Sequence, residues 1–81
     1  MYILKSKKDN NMYIGSTKDL RKRLELHNSG QVFSTKSRLP LELIYYEAYK
    51  AEYDARHREK NLKLRSNAFA QLKKRIQYSL T

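Results

Sequence analysis

"MYIGSTKDLRKRLELHNSG", residues 12–30, passes from a β-prone run to a helical period within a few positions, and that switch orders the rest of the chain. Met12, Tyr13, Ile14 and Gly15 make a short strand-like run. Leu20, Arg23, Leu24 and His27 then fall at i, i+3, i+4 and i+7, which is one face of a helix. Ser16 or Thr17 is placed to cap that helix, Asp19 suits its first turn, and Asn28-Ser29-Gly30 stops it, so the spacing predicts a helix over about residues 19–28. Arg23 and His27 share the side that the leucines must bury, whereas Arg21, Lys22 and Glu25 point elsewhere.

Working outward, Tyr2-Ile3-Leu4-Lys5 is a second strand-like run, and the polar stretch ending in Asp9-Asn10-Asn11 joins it to Met12 as a β-hairpin. Residues 30–40 have no clear period and end in the single proline, so they read as a loop. Leu41–Tyr49, "LELIYYEAY", reads as a third strand whose apolar and aromatic residues on both faces suit the centre of a small sheet. From Lys50 to Leu64 the pattern is helical, with acids early and bases late. Asn67 is placed to cap a last helix with Phe69, Leu72 and Ile76 inward and Lys73, Lys74 and Arg75 outward.

With 81 residues, the chain reads as one domain near the lower limit for a self-supporting core. It has no cysteine, which excludes disulfides, thiolate zinc sites and thiolate chemistry. Only three apolar residues follow Met1 before the lysines begin, too few for a signal-peptide core or a membrane span, so a cytoplasmic protein is expected. Eighteen Lys and Arg against eight Asp and Glu leave a net charge of +10, which points to a polyanionic partner, nucleic acid before a membrane surface.

Glu59 is the residue out of place. It lies on the inward stripe marked by Ala51, Ala55 and Leu62, where an unpaired carboxylate loses several kcal/mol of solvation. One reading is a structural ion pair with an arginine such as Arg23. The other is a site: if Glu59, Arg23 and His27 meet at the sheet edge with a tyrosine, a carboxylate for a divalent ion, a guanidinium for a phosphate and a proton acceptor are together. Tyr45, Tyr46 and Tyr49 are expected to pack the sheet with their hydroxyls at its rim. Tyr2 and Tyr13 lie on adjacent hairpin strands leading to the Arg23 helix; packing accounts for each alone.

Tyr2-Ile3-Leu4, then Tyr13-Ile14-Gly15 eleven positions on, then Lys18-Asp19-Leu20-Arg21-Lys22-Arg23 with His27-Asn28, resembles the GIY-YIG nuclease domain. The resemblance continues through Thr35-Lys36-Ser37-Arg38-Leu39-Pro40, Leu43-Ile44-Tyr45-Tyr46-Glu47 and Ala55–Lys63, and is nearest to the small stand-alone bacterial members. It implies an α+β fold, a small three-stranded antiparallel sheet flanked by helices, with one active site across the sheet face. By position, Tyr2 and Tyr13 match the tyrosines of the two named motifs, Arg23 the catalytic arginine, His27 the position one turn later, and Glu59 the metal-binding glutamate.

The chemistry so implied is hydrolysis of a DNA phosphodiester, with RNA the second choice, using Mg²⁺ or Mn²⁺ and no small-molecule cofactor. Structure-selective or weakly sequence-specific cutting of branched, nicked or distorted DNA is expected, with a place in DNA repair or recombination. Tyr2 is expected to accept a proton from the attacking water, its pKa lowered from about 10 by a nearby positive charge. Tyr13 would orient water or phosphate, Arg23 would offset transition-state charge, Glu59 would hold the metal, and His27 would bind phosphate or assist proton transfer. Two alternatives remain: a non-catalytic nucleic-acid-binding module on the same scaffold, and a ribosome-bound or protein-partner role driven by charge.

Overall fold

The computed structural model describes all residues, 1–81. Its elements run β1 (Tyr2–Ser6), β2 (Met12–Gly15), α1 (Leu20–Asn28), a short 3-10 turn (Lys36–Arg38), β3 (Leu41–Tyr46), α2 (Glu52–Leu64), α3 (Ser66–Arg75) and a terminal 3-10 turn (Gln77–Leu80). The fold is α+β, as expected from the resemblance. Both strand pairs are antiparallel and the order is β2-β1-β3.

That order corrects the expectation for the third strand. β1, not β3, is central, and β3 stops at Tyr46 rather than Tyr49. Apolar residues on both sides of β3 report helices over both faces of the sheet, and face burial says nothing about the hydrogen-bonding edge. The sequence of β1, with Tyr2, Ile3 and Leu4 each nearly inaccessible to solvent, is the more enclosed of the two.

The register sorts the sheet into two faces. Ile3 lies opposite Ile14 on one side and Tyr45 on the other, and this face joins Met1, Leu62 and Leu72 beneath α2 and α3. Tyr2 and Leu4 belong to the opposite face, packed with Leu41 and flanked by Tyr13, Leu20 and Leu24 of the α1 side. A register irregularity between Ile3 and Leu4 separates the two halves of the β1–β3 ladder.

The helix ends also differ in detail from the sequence reading. Asp19 is the N-cap of α1, its carboxylate accepting from the Lys22 amide at 3.1 Å, while Thr17 accepts from the Asp19 amide at 3.2 Å. Neither Ser16 nor Thr17 caps the helix; Ser16 is engaged with Glu59 instead. Asn28 closes α1 and accepts from the Leu41 amide at 3.0 Å, tying the helix to the start of β3. Asn67 lies inside α3, which begins at Ser66 after the extended Arg65 and has no side-chain cap. Ala51, expected inward, is exposed just ahead of α2, whereas Ala55 and Leu62 are buried. Of Tyr45, Tyr46 and Tyr49, expected to pack the sheet, only Tyr45 packs on the core; Tyr46 and Tyr49 are exposed.

Candidate active site

The α1 face of the sheet is interrupted by buried polar chemistry. His27 is fully inaccessible and both of its ring nitrogens are hydrogen-bonded: Nε2 to the Tyr2 hydroxyl at 3.0 Å and Nδ1 to the Thr35 hydroxyl at 2.8 Å. Tyr2 and Thr35 are themselves 1% exposed, so the three form one enclosed line. Tyr13 completes a cluster of rings, with its centroid 5.1 Å from that of His27 and 6.4 Å from that of Tyr2. An aromatic core edge of this kind supplies a rigid frame for the hydroxyls it carries.

Gly15 explains how the first tyrosine reaches this position. Opposite Tyr2 in the ladder, a Cβ on residue 15 would stand 2.5 Å from the Tyr2 hydroxyl oxygen and 2.6 Å from its Cζ. The phenol therefore lies directly over the glycine backbone, and the Tyr-Ile-Gly spacing is a packing requirement.

Arg23 lies one turn before His27, half-buried, beside the hydroxyls of Tyr2 and Tyr13. It makes no ion pair with any carboxylate. The neighbouring Tyr2 hydroxyl raises the guanidinium pKa despite opposing burial, so the side chain is a fixed cation without an anionic partner. Burial, and then the Arg23 charge, lower the His27 pKa and keep the imidazole neutral at pH 7. Burial raises the Tyr2 pKa, and the opposing pull of Arg23 does not offset it. The expected lowering of the Tyr2 pKa is thereby corrected: desolvation of the phenolate outweighs the adjacent charge.

Glu59 reaches the same region from α2. Its Oε1 accepts from the Ser16 hydroxyl and its Oε2 from Lys63 Nζ, each at 2.6 Å. The structural pair that the sequence suggested with Arg23 is absent; the partner is Lys63, one turn along the same helix. Burial pushes the Glu59 carboxyl up, but the Lys63 and Ser16 hydrogen bonds outweigh it and hold it below the usual carboxylate range. Lys63 links the two halves of the site, because its ammonium also lies 5.9 Å from the Tyr13 ring centroid. Arg56, Lys60 and Lys63 surround Glu59 in one surface depression, so a single carboxylate is set among cations.

No group of three or more His, Cys, Asp or Glu side chains is placed to hold a metal ion. Glu59 is the one carboxylate in the depression it shares with Ser16, Arg56, Lys60 and Lys63. One carboxylate is enough for a hard cation such as Mg²⁺, which keeps several waters and takes substrate phosphate oxygens as further ligands, provided that Lys63 yields its place on Glu59 Oε2.

The site residues named from sequence thus fall into a cluster on the α1 side, with Tyr2 and His27 buried and Tyr13 and Arg23 half-buried, and Glu59 on α2, joined to it through Lys63. Three contributors were missed. Lys63 follows Glu59 by four residues and was open to an i, i+4 reading. Ser16 reads in the sequence as a candidate helix cap, and Thr35 lies in a loop with no period to single it out.

Comparison with known proteins gives the same frame. The family model of the GIY-YIG catalytic domain matches residues 1–75. A UPF0213 protein of Streptococcus pneumoniae is 42% identical over 64 residues, covering 78% of this chain and 64% of that protein. A UPF0213 protein of Staphylococcus saprophyticus is 41% identical over 64 residues, covering 78% and 77% respectively. A third, from Pediococcus pentosaceus, is 40% identical over 68 residues, covering 83% and 70%. The chain spans just under two thirds of the pneumococcal protein's length. No solved structure matches it, and no helix is long and apolar enough to cross a membrane.

Proposed function

The chain belongs to the GIY-YIG catalytic domain family, whose function is of the endonuclease type, and we propose that it hydrolyses DNA phosphodiester bonds with Mg²⁺ or Mn²⁺ at the site built on Tyr2, Tyr13, Arg23, His27 and Glu59. The observation that carries this reading is the unpaired, half-buried Arg23 beside two tyrosine hydroxyls and a neutral buried histidine, on the face that Glu59 reaches through Lys63.

In this reading Arg23 clamps the scissile phosphate and meets the charge that develops on its oxygens, a role for which a guanidinium without a carboxylate partner is pre-organised. Tyr2 takes the proton of the attacking water as its own hydroxyl proton passes to His27 Nε2. The raised Tyr2 pKa keeps its hydroxyl protonated and the lowered His27 pKa leaves Nε2 unprotonated at rest; both shifts oppose charge separation between them, so in this relay Tyr2 gives up its proton only as it gains the one from water. The required tautomer has Nδ1–H donating to Thr35 Oγ1, which makes Thr35 a positioning residue for His27. Tyr13 orients the water or the phosphate from the mouth of the ring cluster. Glu59 holds the divalent ion, which when bound supplies Lewis-acid stabilisation of the leaving oxygen. Lys63 and Ser16 keep the carboxylate ionised and aimed. The net charge of +10 gives the backbone its affinity, and branched, nicked or otherwise distorted DNA, as met in repair and recombination, is the favoured substrate.

The test is cleavage of labelled linear, nicked, flapped and four-way-junction DNA by wild type and Glu59→Ala, each with Mg²⁺, Mn²⁺ or EDTA. Metal-dependent cutting that disappears in the variant is expected. Salt-sensitive binding by both proteins with no cutting on any substrate would instead establish the non-catalytic nucleic-acid-binding module.

A further inference from the structure

A cavity of about 430 Å³ opens at the end of the sheet and shares Tyr2 and Ser16 with the proposed reaction centre. It is lined by the beginning of β1, the loop from Ser16 to Lys18, the end of β3 and the first turn of α2. Ser16 belongs both to this cavity and to the depression that holds Glu59 and Lys63, so the two are neighbours across one side chain. Tyr2 lines the cavity as well, and Tyr46 is its direct cross-strand partner in the ladder, on the same face of the sheet.

The chemistry of the walls narrows the occupant. Tyr46 and Tyr49 both line the cavity and are 58% and 40% exposed, so two aromatic rings face solvent where burial would have stabilised the fold. Tyr49 is not loose: its hydroxyl donates to Glu47, whose carboxylate also accepts from Tyr45 at 2.7 Å and from Arg58 Nε at 3.1 Å. The Glu47 hydrogen bond raises the Tyr49 pKa to about 12, which keeps that hydroxyl a donor. Glu52, on the cavity wall, is paired with Lys18 at 3.1 Å and Arg56 at 2.6 Å. Two carboxylates lining the space disfavour a phosphate inside it. A planar, uncharged group with polar edges suits the rings and their paired neighbours, while Lys50 among the lining residues, which has no carboxylate partner, suits a polyanionic backbone passing nearby.

We infer that this cavity takes the base of an unpaired nucleotide next to the scissile phosphate, so that the substrate class is DNA with an unpaired nucleotide at the cut. This rests on the nuclease reading above and adds the specificity element to it. A paired base is held inside the duplex stack and cannot enter a lateral pocket, whereas an unpaired one enters at the least unstacking cost. Tyr46 and Tyr49 are then specificity-determining residues, supplying stacking surface that tolerates any base.

The test is photo-crosslinking in EDTA with single-stranded DNA carrying 5-iododeoxyuridine at successive positions, followed by mass-spectrometric mapping, with a fully paired duplex in parallel. Crosslinks at Tyr46 or Tyr49 from the single strand and not from the duplex are expected. Tyr46→Ala and Tyr49→Ala should each weaken single-strand binding about tenfold, while Tyr49→Phe, which keeps the ring, should bind within about twofold of wild type. Thermal melting checks that the variants are folded. Crosslinks that avoid both tyrosines, or that form equally from the paired duplex, would overturn the assignment. Both readouts are taken without metal and without cleavage, so they answer for the cavity alone; cleavage lost in Glu59→Ala answers for the nuclease reading.

Discussion

The two faces of the same three-stranded sheet are built on opposite terms. Toward α2 and α3, Met1, Ile3, Ile14, Leu62 and Leu72 pack as an aliphatic core with no polar side chain among them. Toward α1, Leu4 and Leu41 share the interior with Tyr2, His27 and Thr35, whose polar atoms satisfy one another. Burying a histidine costs stability unless each ring nitrogen is partnered, and here a hydroxyl is positioned at each. A small domain has little stability to spare, so one face of the sheet carries the packing and the other hosts the polar line.

Substitutions on the two faces should therefore separate stability from activity. The largest effect belongs to the core face: Ile3→Ala should cost about 2–5 kcal/mol in a denaturant melt, with cleavage per folded molecule unchanged. On the other face, Arg23→Ala should lower the cleavage rate about 10²–10³-fold, the scale of losing one pre-positioned transition-state donor, while the melting temperature stays within a few degrees. Thr35→Val blurs the contrast usefully. It leaves His27 Nδ1 without a partner, at about 1–3 kcal/mol of stability, and should also move the acidic limb of the pH–rate profile, which a purely structural role would leave in place.

The smallest effect is on pH. The folded-state pKa of His27 lies below its ordinary value of 6.5, so the unfolded chain binds a proton first as the pH drops. Its stability contribution is complete above about pH 6.5 and is lost as the pH falls toward the lowered folded-state pKa. His27→Gln should flatten that part of a stability–pH curve measured by thermal melting.

Much of this contrast was legible in the chain. The i, i+3, i+4, i+7 stripe placed Arg23 and His27 on the buried side of α1, and helical spacing put Glu59 near Ala55 and Leu62. The resemblance supplied the order in which the strands and helices carry them. What periodicity could not reveal is what depends on contacts between distant segments. Thr35 meets His27 because Val32 and Thr35 anchor the loop after α1, and nothing in the local pattern reports that. The central place of β1 follows from strand pairing, for which face hydrophobicity is silent. The direction of the Tyr2 shift depends on the depth of burial against the nearness of Arg23, a balance that only the packed structure decides.

The central claim is that the polar line on the α1 face is a reaction centre and not merely a way of filling that face. The most direct measurement is the cleavage rate and the melting free energy of Tyr2→Phe, determined in parallel with wild type. This substitution removes one oxygen and keeps the ring over Gly15. We expect cleavage to fall by about 10²-fold or more, the scale of losing a positioned proton acceptor, while stability drops by only about 1–3 kcal/mol from the unpartnered His27 nitrogen. A variant that loses that stability yet cuts DNA at the wild-type rate per folded molecule would contradict the account.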